Sequence, residues 1–164
     1  MTMIVGDKVT TLEKEAAGPA LARHARERIA NGEKSLISEL VEGNLGKITG
    51  SVVGKAAAEG DPLSLAVVQR AGFIVGLGLV SLLHLFNPEI VVIGGGVSAL
   101  KDLLFVPMRE AIEKYCIDAS YWQDLHIKPA ELGENVSLVG AAALVITRGG
   151  IEDVAALTHK LDEA

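Results

Sequence analysis

Asn-Pro-Glu-Ile-Val-Val-Ile-Gly-Gly-Gly-Val-Ser, residues 87–98, is the stretch on which the reading of this chain turns. Ile90, Val91, Val92 and Ile93 make a short apolar run, mostly β-branched and bounded by turn residues, which predicts a fully buried strand. The strand runs into Gly94, Gly95 and Gly96, ahead of a second helical pattern. Glycines at the end of a strand and before a helix let backbone N–H groups come close to a ligand, because no Cβ stands in the way. That geometry suits a nucleotide, and a strand set between two helices favours α/β layers over a helical bundle.

Working backwards from Asn87, residues 71–86 contain no Asp, Glu, Lys or Arg. Gly72 and Gly76 have the spacing found in membrane helix pairs. A membrane span needs about 20 predominantly apolar residues, however, and this run is short, contains His84 and stops at Asn87-Pro88. The expectation is a helix buried on all sides, with Gly72, Gly76 and Gly78 letting other backbones approach. Its start is marked by Gly60-Asp61-Pro62: glycine closes the helix before it, Asp61 caps the new one and Pro62 fits its first turn.

Nearer the N-terminus, Ala17, Leu21, Ala25 and Ile29 recur at helical spacing over residues 12–31, with Gly18-Pro19 set to bend or restart the helix and Asn31-Gly32 to end it. A short helix is expected over residues 35–41, a turn over 42–46 and a weaker helix over 48–59. Residues 7–11, Asp-Lys-Val-Thr-Thr, lack the glycine of a phosphate loop and read as a solvated run into the first helix. Beyond the glycines, residues 100–115 form an amphipathic pattern interrupted at Pro107, and Ser98 could cap that helix. A polar loop over 118–124, a short strand over 125–127, a turn over 131–135 and helices over 137–148 and 152–161 complete the order.

Composition bounds the function. With 164 residues, 49% hydrophobic and 22% charged, the chain is a globular domain over 1–164 with a substantial core. A net charge of −6 with no basic cluster argues against a nucleic-acid partner. Cys116 is the single cysteine, which excludes an intrachain disulfide and points to a reducing, cytoplasmic setting. The first residues lack the long apolar stretch of a signal peptide, and no membrane partner is expected. His24, His84, His126 and His159 show no pair at metal-ligand spacing. Tyr121 and Trp122 read either as an interface anchor or as a hydrophobic cover.

Taken with Gly140-Ala141-Ala142, Gly60-Asp61-Pro62 and Asn87-Pro88, the glycine segment resembles the nucleotide lobe of the ROK (repressor, open reading frame, kinase) family of sugar kinases. The resemblance covers about residues 12–146 and only the second half of the family. It implies the C-terminal lobe of the actin-like ATPase and sugar kinase (ribonuclease H-like) superfamily, a helix-rich α/β fold. By that resemblance Gly94, Gly95 and Gly96 would lie against the adenosine of ATP, an adenine nucleotide used with Mg²⁺, and Glu13 of the Leu12-Glu13 pair would bind hydroxyls of a hexose. From the residues alone Glu13 reads first as a solvated acid near a helix N-terminus, favoured by the helix dipole, and it is the resemblance that sets the sugar-ligand reading beside it.

Many members of the family carry a zinc-ligating cysteine one position before the Leu-Glu pair. Here that position is Thr11, the accompanying cysteine cluster is absent, and no zinc is expected. The catalytic aspartate and phosphate loops of the family also have no equivalent in this sequence. The resemblance therefore implies the nucleotide-binding lobe of an ATP-dependent, glucokinase-like hexose kinase, inactive by itself and part of a homo-oligomer. It leaves two alternatives: the effector domain of a sugar-responsive transcriptional regulator, or a non-catalytic oligomerisation remnant.

Overall fold

The computed structural model describes residues 1–146. Two compact units divide between Pro129 and Ala130, and each is taken by itself. The helix expected over residues 152–161, with His159, lies outside the described residues.

The first unit opens with a hairpin in place of the expected solvated run. Strand β1, Thr2–Val5, pairs antiparallel with β2, Lys8–Thr11, with Val5 opposite Lys8. Gly6 and Asp7 form the connecting turn, with Gly6 at φ 59°. A two-residue hairpin turn needs such a conformation at its first position, and glycine supplies it without a Cβ clash. Val9, Thr10 and Thr11 are β-branched and favour the strand that follows.

Helix α1, Leu12–Ala16, starts at once, because the Thr11 hydroxyl accepts a hydrogen bond from the Lys14 N–H at 3.3 Å. It stops at the extended Ala17, and α2, Gly18–Ala30, restarts with Pro19 in its first turn, as the sequence predicts. Asn31 caps α2 and Gly32, at φ 95°, turns the chain. Helix α3, Ile37–Leu40, and α4, Gly50–Ala58, follow, and Gly60 with φ 86° ends that segment.

Helix α5, Pro62–Phe86, is the centre of the unit. Its cap, Asp61, is buried to 6% exposure, and its carboxylate accepts from Ser64 Oγ at 2.6 Å, Ser64 N–H at 2.9 Å, Leu36 N–H at 2.9 Å and Ser35 Oγ at 2.8 Å. Burial alone would raise the pKa of this acid, but the donors from Ser64, Leu36 and Ser35 together hold it below its ordinary value. One residue therefore caps α5 and ties it to the loop before α3. At the other end Asn87 takes the left-handed conformation, φ 41°, and donates to the Leu83 carbonyl, a helix stop that asparagine tolerates.

Strand β3, Ile90–Ile93, pairs in parallel with β4, His126–Pro129. A single β3–β4 pair leaves one face of the strand uncovered, so the expectation of full burial fails. Val91 and Ile93 pack on the core, while Ile90 and Val92 are 49% and 58% exposed. Between the strands run a 3₁₀ turn, Gly96–Leu100, and α6, Asp102–Tyr115.

Pro107 lies inside α6 without breaking it. Proline removes one backbone donor, but α6 is held along its length by α5: a Cβ on Gly72 would collide with the Leu104 carbonyl oxygen and lie 2.7 Å from Pro107 Cγ, and one on Gly76 would collide with the Met108 carbonyl oxygen. Gly78 differs from the expectation, since a Cβ there would meet the side chains of Leu12 and Met1, not a backbone. Helix α5 is long and apolar enough to cross a membrane by length and composition, yet 61% of its most apolar stretch is buried in this unit. Its last two turns depart from the expected burial, with Ser81 and Leu82 exposed and Leu85 and Phe86 each 73% exposed.

Tyr121 and Trp122 pack on the core as a cover, Tyr121 meeting the His84 ring edge to face at 4.9 Å. The second unit contains a 3₁₀ turn, Gly133–Asn135, and α7, Val136–Ile146, which carries Gly140-Ala141-Ala142 where the sequence predicts a helix.

The two glycine environments on α5 predict opposite responses. Gly76→Ala forces a Cβ into backbone and should lower unfolding stability by about 1–3 kcal/mol. Gly78→Ala meets only movable side chains and gains up to about 1 kcal/mol of helix propensity. Urea titrations of both variants measure this, and equal midpoints would contradict the packing described.

Candidate functional site

The residues that the sequence singled out, 81 or more positions apart along the chain, face one groove. Its volume is about 500 Å³, and Glu13, Gly18, Val75, Gly94, Gly95 and Gly96 are among its lining residues. Helix α1 supplies Glu13, the start of α2 supplies Gly18, α5 supplies Val75, and the loop after β3 supplies the glycines. The exposed side of β3 adds Val92, which explains why that apolar side chain is not buried.

The glycine loop is a fixed turn. Gly95 has φ 91° and ψ 164°, a region that only glycine enters without strain. Ser98 Oγ donates to the Gly95 carbonyl at 2.7 Å, and the Ser98 N–H donates to the same oxygen at 3.0 Å. Ser98 thus stabilises the glycine turn, and the expectation that it caps the following helix fails: α6 begins after Lys101, at φ 50°, with no side-chain cap. Around Gly95 and Gly96 the space where a Cβ would stand is open to 4 Å. A planar or ribose-sized group can approach this backbone.

Glu13 is exposed, and no hydrogen bond or ion pair to its carboxylate is present among the described residues. It borders a second hollow of about 610 Å³, with Thr10, Lys14, Glu15, Pro19 and Arg23 around it. Glu13 therefore stands on the divide between a mostly apolar groove on the glycine side and a more polar hollow on the α2 side. A free carboxylate in that place can accept hydrogen bonds from ligand hydroxyls.

Thr11, at the position where the resemblance puts a metal-ligating cysteine, spends its hydroxyl on the cap of α1. No group of three or more His, Cys, Asp or Glu able to hold a metal ion occurs among the described residues. Among the described residues no lysine or arginine lines the glycine groove, so these offer no side-chain cation to phosphate oxygens there.

One cluster escaped sequence reasoning. Glu15, 12% exposed at its side chain, pairs with Arg70 of α5 at 2.7 Å and accepts from Thr10 Oγ1 at 2.9 Å. The Arg70 hydrogen bond is the main cause that holds the Glu15 carboxyl below its ordinary range. Arg70 also contacts His24 Nε2 at 3.0 Å. Glu15 and Arg70 stand 55 positions apart, and no local pattern announces such a pair.

The helix-rich α/β unit with a glycine turn after its parallel strand has the fold of the actin-like ATPase and sugar kinase superfamily. The comparisons agree: the model of the ROK family matches residues 6–148, and the chain belongs to that family. It is 32% identical over 139 residues to a glucokinase of Thermotoga maritima, an alignment that covers 85% of this chain and 43% of that protein. The structure of a ROK family glucokinase from Streptomyces griseus in complex with glucose and AMPPNP matches with a TM-score of 0.72 and 26% identity, over 87% of this chain and 55% of that one. The DNA-binding transcriptional repressor Mlc of Escherichia coli is 30% identical over 88 residues, 54% of this chain and 21% of the repressor. The chain thus spans about half the length, or less, of these relatives.

The turn geometry yields a direct expectation. Gly95→Val places a β-branched residue at positive φ and should cost about 1–3 kcal/mol of stability, whereas Gly96→Val, whose Cβ enters open space from an ordinary backbone conformation, should unfold near the wild-type midpoint. Chemical denaturation of the two variants distinguishes them, and a Gly95→Val midpoint matching that of Gly96→Val would refute the turn.

Proposed function

We propose that this chain is the C-terminal, nucleotide-binding lobe of an ATP-dependent hexose kinase, with glucose as the preferred sugar. The observation that carries the reading is the convergence of Glu13 and Gly94 to Gly96 on one groove. In this reading the adenosine of ATP lies against the glycine turn, where apolar walls favour a base and backbone groups come close. The hexose sits on the polar side of Glu13, whose carboxylate accepts hydrogen bonds from its hydroxyls. The likeness to glucokinases, one of them in complex with glucose and AMPPNP, supports both assignments. A cytoplasmic homo-oligomer is part of the same proposal.

Phosphoryl transfer needs a carboxylate to take the hydroxyl proton, donors around the β- and γ-phosphates, and Mg²⁺ to neutralise developing charge. The glycine groove supplies a base-and-ribose site and one acceptor for sugar hydroxyls, with no lining lysine or arginine among the described residues. The chain by itself therefore binds and does not turn over. Absence of a general base alone costs about 10²- to 10⁴-fold, and phosphate-holding groups add to that.

The similarity to Mlc favours one second reading, a sugar-responsive regulator domain. The nucleotide separates the two: a kinase lobe binds ATP at the glycine turn, and a sugar-only effector domain does not require it.

Calorimetric titration of the chain with ATP should show weak binding that Gly96→Val abolishes, and a coupled assay with Mg²⁺, ATP and a panel of hexoses should give no turnover. ATP affinity unchanged in a folded Gly96→Val protein would remove the nucleotide assignment. Turnover that falls on Glu13→Gln would show a catalytic centre in this chain and contradict the half-site reading.

A further inference from the structure

Helix α1 has five residues, too few to hold a helical conformation by its own hydrogen bonds. Whatever fixes α1 therefore fixes Glu13. Successive residues of a helix turn by about 100°, so Glu15 lies roughly 200° around α1 from Glu13. Glu13 is exposed where the two hollows meet, while the Glu15 side chain, at the inner edge of the polar hollow and only 12% exposed, turns towards α5.

Four elements meet at that side chain. The Glu15 carboxylate accepts from Arg70 Nη2 of α5 at 2.7 Å and from Thr10 Oγ1 of β2 at 2.9 Å, and the Glu15 backbone carbonyl accepts from Arg70 Nη1 at 3.4 Å. Arg23 of α2 donates to the Lys14 carbonyl at 2.8 Å. Nη1 of Arg70 also lies 3.0 Å from His24 Nε2, and Arg23 Nη2 lies 3.3 Å from the same nitrogen. A guanidinium only donates, so His24 Nε2 is the acceptor and the imidazole is neutral.

We propose that Arg70 is a positioning residue for sugar binding: through Glu15 it clamps α1, and with it Glu13, at the divide between the two hollows, with neutral His24 holding its guanidinium in place. The inference rests on the reading of Glu13 as the sugar ligand. Arg70 touches no sugar in this scheme and acts through Glu15.

The clamp carries its own pH dependence. Burial first, then Arg70 and Arg23, lower the pKa of His24 below its ordinary 6.5, while Glu15 and Glu27 pull it up. Thr10, Glu15, Arg23, Glu27 and Arg70 are the polar and charged groups that face this cluster. The folded state prefers the neutral ring, so the clamp is intact above pH 6.5 and weakens as pH falls below that value towards the depressed folded pKa. A protonated His24 no longer accepts from Arg70, and at 3.6 Å from Glu15 Oε2 it competes for the same carboxylate.

The test uses amide hydrogen exchange, followed by NMR, in the full 164-residue chain. The Ala17 N–H, bonded to the Glu13 carbonyl at 3.1 Å, reports on α1, and the Val53 N–H, bonded to Thr49 at 3.1 Å, reports on α4. Arg70→Gln should raise exchange at Ala17 about tenfold or more, as loss of a charge-assisted bond implies, with Val53 unchanged and partial recovery in Arg70→Lys. In the wild type, protection at Ala17 corrected for intrinsic exchange should decline below pH 6.5, and His24→Gln should flatten that profile. D-glucose affinity should fall about tenfold in Arg70→Gln. Unchanged exchange at Ala17, or an equal rise at Val53, would overturn the proposal. A glucose affinity indifferent to Glu13→Gln would instead end the sugar-ligand reading, and the exchange data would still decide whether Arg70 clamps α1.

Discussion

The close approach of α5 and α6 is the constraint on which the rest of the first unit depends. Gly72 and Gly76, one helical turn apart on α5, leave room for the carbonyls of Leu104 and Met108, one turn apart on α6. Two helices in backbone contact fix the start of α6, and with it the 3₁₀ turn and the glycine loop that lead into it. The other sides of α5 receive α4, α2 and the short α1. Helix α5 is therefore the frame on which the β3 glycine turn and the Glu13 helix are both mounted, and the groove is the space left between them.

How much of this was legible beforehand follows from the range of each interaction. Gly60-Asp61-Pro62 told its own story, since capping is settled within a few residues, and so did Gly18-Pro19 and the Ile90–Ile93 strand. The β1–β2 hairpin escapes the periodicity argument because four-residue strands are too short for it to register, although Gly6-Asp7 followed by Val9, Thr10 and Thr11 holds the signal. Pro107 reads as an interruption in the local sequence, while the packing that holds α6 past it comes from Gly72 of another helix. Full burial of β3 was expected from its composition, but burial depends on what covers the second face, and the exposed Val92 lines the groove instead.

The site divides in the same way. Gly94 to Gly96 and Glu13 were visible as residue types in suggestive positions, and the structure brings them to one groove. The role of Ser98 changed from helix cap to a latch on Gly95, a difference of one turn that only the Lys101 conformation reveals. The Glu15, Arg70 and His24 cluster had no local signature at all, because its members come from three helices. Physically the site is asymmetric, with an apolar, glycine-edged wall on one side of Glu13 and polar residues on the other. That asymmetry matches a ligand pair in which one member presents a flat ring and the other a ring of hydroxyls.

The most direct measurement of the central claim is a map of backbone amide NMR shifts in the full chain on addition of ADP and then of glucose. If the glycine groove and the polar hollow that meet at Glu13 hold the two ligands, ADP should move the resonances of Gly94, Gly95, Gly96 and Ser98, glucose should move those of Glu13, Lys14 and Glu15, and each ligand should perturb the edge of the other's set. Shifts confined to the surface hollow around Gln69, Pro107 and Glu110 between α5 and α6, or no shifts near the glycine turn at saturating ADP, would contradict the account.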